Sequence, residues 1–89
     1  MKITSIEISL LKEPKGRLKG FATVTFDEAL VVRGFRIFQS ARGTSIAMPS
    51  VRKPDGTWED VVFPITSVLN DTINAALIRA FEDETARPR

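Results

Sequence analysis

Residues 5–10 alternate: Ser5, Glu7 and Ser9 take one face, Ile6, Ile8 and Leu10 the other. A period of two marks a half-buried strand. Lys12-Glu13-Pro14-Lys15-Gly16 is a turn, and alternation resumes over residues 17–27. There Leu18, Ala22, Val24 and Phe26 face one way, and Lys19, Phe21, Thr23, Thr25 and Asp27 the other. After a short turn at Asp27-Glu28, Leu30 to Gln39 is a long β-type run rich in Val, Ile and Phe. Its apolar phase changes near Gly34, from Leu30 and Val32 to Phe35 and Ile37, which predicts a bulge or bend. Ser40-Ala41-Arg42-Gly43 turns the chain into a fourth strand, Thr44–Met48, and Thr57–Phe63 is a fifth.

The period then switches. Leu69, Ile73, Ala76, Leu77, Ala80 and Phe81 fall on one face of a helix. Thr66 or Ser67 can cap it by accepting a bond from an orphan N–H. Asp71 lies in the early turns, where a carboxylate complements the helix dipole. The helix should end near Glu82–Glu84. The expected fold is α+β: a five-stranded antiparallel β-meander followed by one C-terminal α-helix. It forms a single domain over residues 1–84, with a disordered tail over 85–89. One helix covers only one sheet face. The other keeps Phe21 and either Phe35 or Phe38, aromatics that need a second copy of the chain or a ligand.

Composition narrows the chemistry. Eighty-nine residues bury a modest core, roughly 60% of the surface of the unfolded chain. With no Cys, there is neither a disulfide framework nor a thiolate zinc site. With no His, Ser-His and Cys-His nucleophiles and nearly all transition-metal sites are excluded. The expectation is a cytoplasmic protein that is not an enzyme, with no cofactor, metal, membrane or small-molecule substrate. Met1-Lys2-Ile3-Thr4-Ser5 opens no apolar leader, and no apolar run reaches membrane-spanning length. The net charge of +2 hides an asymmetry: +6 over residues 1–53 and −4 over 54–89. Such a dipole can steer a polyanion or orient two copies. Lys-rich strands and a Glu-rich helix surface account for it equally well.

Several motif matches fail on context. Lys19-Gly20-Phe21-Ala22-Thr23-Val24-Thr25-Phe26 nearly spells the RNA-recognition octamer, whose aromatics stack on bases. Thr23 stands where the fifth-position aromatic belongs, and no helix fits before residue 19. Ser50-Val51-Arg52-Lys53 has the S-x-x-K spacing of penicillin-recognising enzymes, but those need a helix there. Pro49 and Pro54 flank the tetrapeptide, each fixing φ near about −65° and lacking an N–H. Glu59 and Asp60 are adjacent on a strand and point to opposite faces, so they share no proton. Asn70-Asp71-Thr72 is a glycosylation sequon in form only, because it falls on the helix.

The remaining candidate is a basic turn. An apolar strand ends at Pro49, Arg52 and Lys53 follow, and Pro54-Asp55-Gly56 returns the chain. The cations are held between two strands at a fixed point. Arg36 and Arg42 lie on the preceding strand and turn, and Lys15 and Arg17 on the first hairpin. Cations beside a rigid turn suit phosphate contact. The alternative is a set of solvated edge cations that prevents strand aggregation.

The same residues carry a resemblance. Val31-Val32-x-x-Phe35-Arg36-Ile37, Ile46-Ala47-Met48-Pro49-Ser50, Asp55-Gly56, Asp60-Val61 and Pro64-Ile65 resemble the bacterial stage V sporulation protein G (SpoVG) family. That family reads approximately V-V-x-x-I-R-V-I, F-V-A-M-P-S-[KR]-[KR], D-G-x-x-x-D-I and P-I before a C-terminal helix. Phe35 replaces an Ile, Ser45-Ile46 replace Phe-Val, and Val51 stands where a cation is usual. The resemblance implies a small dimeric regulator of gene expression. It would bind DNA, and RNA, without a helix-turn-helix, and be tied to septation and sporulation in spore formers. Arg52, Lys53, Arg42, Arg36, Lys15 and Arg17 are then the expected nucleic-acid contacts. Phe21, Phe35 and Phe38 form the expected dimer interface. A rival reading is a septation factor that acts through protein contacts alone.

Overall fold

The computed structural model describes residues 1–86. Six strands precede one helix: β1 (Ile3–Lys15), β2 (Leu18–Phe26), β3 (Leu30–Ser40), β4 (Gly43–Ala47), β5 (Ser50–Arg52), β6 (Trp58–Asp60) and α1 (Ser67–Ala86). β1 to β4 form an antiparallel sheet in chain order, and β5 and β6 form a separate two-stranded ribbon. The fold is therefore α+β, with a four-stranded meander rather than a five-stranded one. The fifth strand shrinks to Trp58–Asp60 and pairs with Ser50–Arg52, not with β4. Pro49 explains the break: it has no N–H to continue the β4 ladder, so pairing with β3 stops at Ala47. Both Met48 and Pro49 are buried as the chain leaves the sheet.

The turns follow from their residues. Ala29 N–H donates to the Phe26 carbonyl at 2.9 Å, closing a turn with Asp27 and Glu28 both at φ 52°. Positive φ at two central residues matches the twist of a β-hairpin, and Asp tolerates it. The N-terminus holds this turn in place. Lys2 N–H donates to Asp27 Oδ1 at 2.9 Å, and Glu28 N–H donates to Thr4 Oγ1 at 3.0 Å.

Register shifts set the sheet phase. Ala22 faces Phe35 and Val24 faces Val32, so Arg33 and Gly34 together oppose Thr23. That is the bulge predicted from the phase change at Gly34, whose φ is 95°. It lets Val32, Phe35 and Ile37 all serve the core. A second shift at Lys19 turns its side chain to the helix side, beside Phe81 and Thr85. Lys19 therefore does not share the Phe21 face, as simple alternation had it.

The buried core comprises Ala22, Val24, Phe26, Phe35, Ile37, Met48, Ile73, Leu77 and Phe81. Ile6, Ile8, Leu10 and Leu69 pack around it. The helix buries the predicted face, and Thr66 is its cap: Leu69 N–H donates to Thr66 Oγ1 at 3.2 Å. No acid lies in the first turn, so Asp71 stands too far along for the dipole to favour it strongly. The helix continues past Glu84. Thr85 and Ala86 are helical rather than part of a frayed tail; the rest of that expected tail, Arg87, Pro88 and Arg89, lies outside the described residues.

Leu77 is fully buried where the helix meets the sheet. Leu77→Ala should lower unfolding free energy by about 2–5 kcal/mol, read as an earlier urea midpoint with unchanged slope.

Candidate nucleic-acid interface

Arg36 is the joint between sheet and ribbon. The bulge at Gly34 puts Phe35 and Ile37 into the core and leaves Arg36 and Phe38 on the face away from the helix. From there the Arg36 guanidinium donates to Ser50 Oγ at 2.7 Å and to the Met48 carbonyl at 3.4 Å. It also lies 5.4 Å from the Trp58 ring centroid and 5.8 Å from that of Phe38. One planar cation thus contacts both ribbon strands, through Ser50 and Trp58, and its own strand through Phe38. Its fork geometry and weak hydration suit this combined bonding and stacking. Pro49 lies next to Gly34: a Cβ placed on Gly34 would lie 3.6 Å from Pro49 Cβ.

The ribbon is stiffened at its far end as well. Lys53 N–H donates to the Thr57 carbonyl at 2.7 Å, and Gly56 N–H to the Lys53 carbonyl at 2.9 Å. Asp55 Oδ1 accepts from the Thr57 hydroxyl at 2.6 Å and from the Thr57 N–H at 3.0 Å. These bonds, the hydroxyl's first, hold the Asp55 carboxyl below its ordinary range. Val61 N–H closes the base of the ribbon on the Pro49 carbonyl at 2.9 Å. The turn carrying Arg52 and Lys53 is therefore a small framework and not a loose loop.

The six expected cations divide into two groups. Arg52 and Lys53 sit on the ribbon, with Arg36 at its base. Lys15, Arg17 and Arg42 sit at one end of the main sheet, where the β1–β2 and β3–β4 turns lie side by side. Gln39 N–H donates to the Arg17 carbonyl at 2.8 Å and joins those two turns. From Arg36 to Ser40 is four residues of strand, roughly 13 Å. Among the described residues, the heads of Arg52, Lys53, Lys15, Arg17 and Arg42 are engaged in no hydrogen bond or ion pair. Arg36, by contrast, is half-buried and committed to Ser50 and Met48.

Of the three expected interface aromatics, Phe21 and Phe38 lie on the open face and Phe35 does not. Phe35 is 0% exposed and belongs to the core, so it is not an interface residue. The bulge places it on the helix side. Phe38 is half-buried against Arg36. Phe21 lies on the open face opposite Arg36 and is 38% exposed. The larger exposed apolar surface is elsewhere, in a segment expected to be strand and helix leader. Val61, Val62, Phe63, Ile65 and Val68 are all exposed, Phe63 at 61% and Ile65 at 91%. Val62, Phe63 and Ile65, with Leu30 and Met1, line an apolar crevice of about 220 Å³. A run of three apolar residues, Val61-Val62-Phe63, was the sequence signal, because consecutive residues cannot all face one core. Trp58 was the other omission. It reads as one strand position among several until the register sets it against Arg36 and Arg52.

The fold and site define a small α+β domain whose open sheet face carries a docked, cation-bearing ribbon. The chain belongs to the SpoVG family, whose profile matches residues 1–83. It is 34% identical over 83 residues to a Staphylococcus saprophyticus protein named "Putative septation protein SpoVG", covering 93% of this chain and 81% of the relative. A protein of the same name from Clostridium beijerinckii is 35% identical over 82 residues, covering 92% and 89%. One from Staphylococcus aureus is 32% identical over 83 residues, covering 93% and 82%. Among the described residues, no helix is long and apolar enough to cross a membrane.

Arg36→Gln removes the stacked cation and shortens the reach to Ser50. The ribbon should then open more readily by about 2 kcal/mol, combining a charged hydrogen bond with a cation–π contact. Amide exchange at Val61 and Lys53 should quicken about 30-fold, and Trp58 emission should shift to the red.

Proposed function

We propose that this protein is a nucleic-acid-binding regulator of gene expression, acting in septation and, in a spore former, in sporulation. It works in the cytoplasm on DNA, and on RNA, as a homodimer, without catalysis, a cofactor or a small-molecule substrate. The observation that supports this most is the ribbon: two unengaged cations, Arg52 and Lys53, on a turn fastened to the sheet by Arg36. A flexible cation loses side-chain and backbone freedom when it meets a phosphate, and a pre-ordered turn has already lost the backbone part. Val51, which stands where the family usually has a cation, points to the opposite ribbon face from Arg52. The Arg52-Lys53 pair is thus the basic element of this turn. Arg42, Lys15 and Arg17 extend the positive surface at the sheet end.

A septation factor working through protein contacts alone is the second reading, and the exposed segment from Val61 to Val68 favours it. Both readings share a prediction about assembly. Contiguous exposed apolar surface on a small domain calls for a partner, and a second copy related by a two-fold axis is the simplest one. The dimer contact is assigned to Phe63, Ile65 and Val68 rather than to Phe21.

In the double variant Arg52→Ala/Lys53→Ala, affinity should fall across all sequences alike. The slope of log affinity against log salt should flatten by about two units. Thermal stability should hold, since exposed cations contribute little to it. Unchanged affinity and slope in the folded variant would move the contact to Lys15, Arg17 and Arg42.

Sedimentation at micromolar concentration should give about twice the monomer mass. Phe63→Asp should return the protein to a monomer while its circular dichroism stays the same. A wild-type monomer would remove the dimer from the proposal.

A further inference from the structure

We propose that Trp58, backed by Arg36, is a stacking platform for an unpaired base, so that the ribbon takes single-stranded nucleic acid in preference to duplex. The inference rests on the reading of Arg52 and Lys53 as phosphate contacts and adds the class of nucleic acid they serve.

Trp58 is 60% exposed, although indole is among the costliest side chains to leave in water. One side of its ring meets the Arg36 guanidinium at 5.4 Å from the centroid. Ser50 Oγ and the Met48 carbonyl hold that guanidinium, so the indole rests on a fixed support. A preset aromatic plane with one open side is the element that sequence-tolerant single-strand binders use, since every base has a π-face.

Register supplies the second component. Arg52 and Trp58 are direct partners in the ribbon. Directly opposed residues of an antiparallel pair project to the same face, with Cβ atoms about 5 Å apart. A stacking plane and an unengaged cation thus stand side by side. One nucleotide carries both complements, a base and a phosphate. Duplex DNA offers phosphates and base edges in its grooves, but its base faces are hidden in the stack. Only an unpaired base can use Trp58 and Arg52 together.

The open sheet face continues the track. Phe21 projects from β2 directly opposite Arg36. Beyond it lies a shallow groove of about 410 Å³, lined by Ser5, Glu7, Thr23, Thr25, Val31 and Arg33. Its hydroxyls and one cation suit a sugar-phosphate backbone, and its single carboxylate, Glu7, is exposed to counterions. The aromatic set differs from that of the RNA-recognition octamer: Thr23 supplies no ring, and Trp58 reaches the open face from the ribbon.

Trp58 is the only tryptophan, so its fluorescence reports the site directly. The full chain would be titrated with dT12, with U12 and with a 12-base-pair duplex, at low and moderate salt. Both single strands should quench Trp58 strongly and bind about tenfold more tightly than the duplex; the tighter of the two identifies the preferred sugar. By anisotropy of a labelled strand, Trp58→Ala should weaken single-strand binding about tenfold, within the range for one stacked base. Its salt slope should not change, because no charge is removed, and Trp58→Phe should recover most of the loss. Glu59→Ala, on the opposite ribbon face, should leave quenching intact. Equal affinity for duplex and single strand, with Trp58→Ala indistinguishable from the parent, overturns the stacking proposal. If that duplex binding still loses its salt slope in the Arg52→Ala/Lys53→Ala variant, the phosphate reading survives alone. If neither strand type binds at any salt, both readings fall.

Discussion

One extra residue in β3 sets the phase of the molecule. Arg33 and Gly34 together oppose Thr23, and beyond that point every side chain of β3 is shifted by one. Without the shift, Val32 and Phe35 would lie on opposite faces, and one of them would lose its place against the helix. With it, Phe35 and Ile37 complete a core closed by Ile73, Leu77 and Phe81. The same shift turns Arg36 outward, where it meets Ser50 and Trp58. Gly34 is suited to this because it accepts a φ of 95° at little steric cost. Core, ribbon and basic turn therefore depend on one local irregularity.

The surface is divided by chemistry. The ribbon and open face bring together Arg36, Arg52, Lys53, Trp58 and Phe21. The segment from Val61 to Val68, beside the helix N-terminus, concentrates exposed apolar side chains. In the proposed dimer, association would use the second surface and leave the first free. Residues 1–53 carry the net positive charge, whereas the acidic residues of 54–89 divide between the helix, with Asp71, Glu82, Asp83 and Glu84, and the ribbon, with Asp55, Glu59 and Asp60.

Much of the fold was legible because local patterning and burial agree. Alternation in β1 and β2, the turn at Asp27-Glu28 and the helical face of Leu69, Ile73, Leu77 and Phe81 each follow from one buried side per element. The fifth strand was misread because its residues have strand propensity, and propensity does not name a partner. Pro49 withholds the ladder bond, so the same residues pair within a ribbon instead. Phe35 was assigned to the wrong face because a bulge moves a side chain across the sheet without altering its neighbours in sequence. The helix end was set short because nothing at Glu82–Glu84 breaks a helix: there is no glycine or proline until Pro88.

For the site, the sequence by itself determined which cations flank a rigid turn, that the turn is Pro54-Asp55-Gly56, and that neither His nor Cys chemistry is present. Those are local or compositional properties, carried by the chain before it folds. Only the tertiary structure decided that Arg36 fastens the ribbon to the sheet through Ser50, that Trp58 stands beside Arg52, and that exposed apolar surface lies at Phe63 and Ile65. The first depends on a contact between residues 14 apart, the second on the register of the ribbon, and the third on which face a long-range contact covers. Side-chain direction in a strand reverses with every residue, so a one-residue shift changes the answer completely.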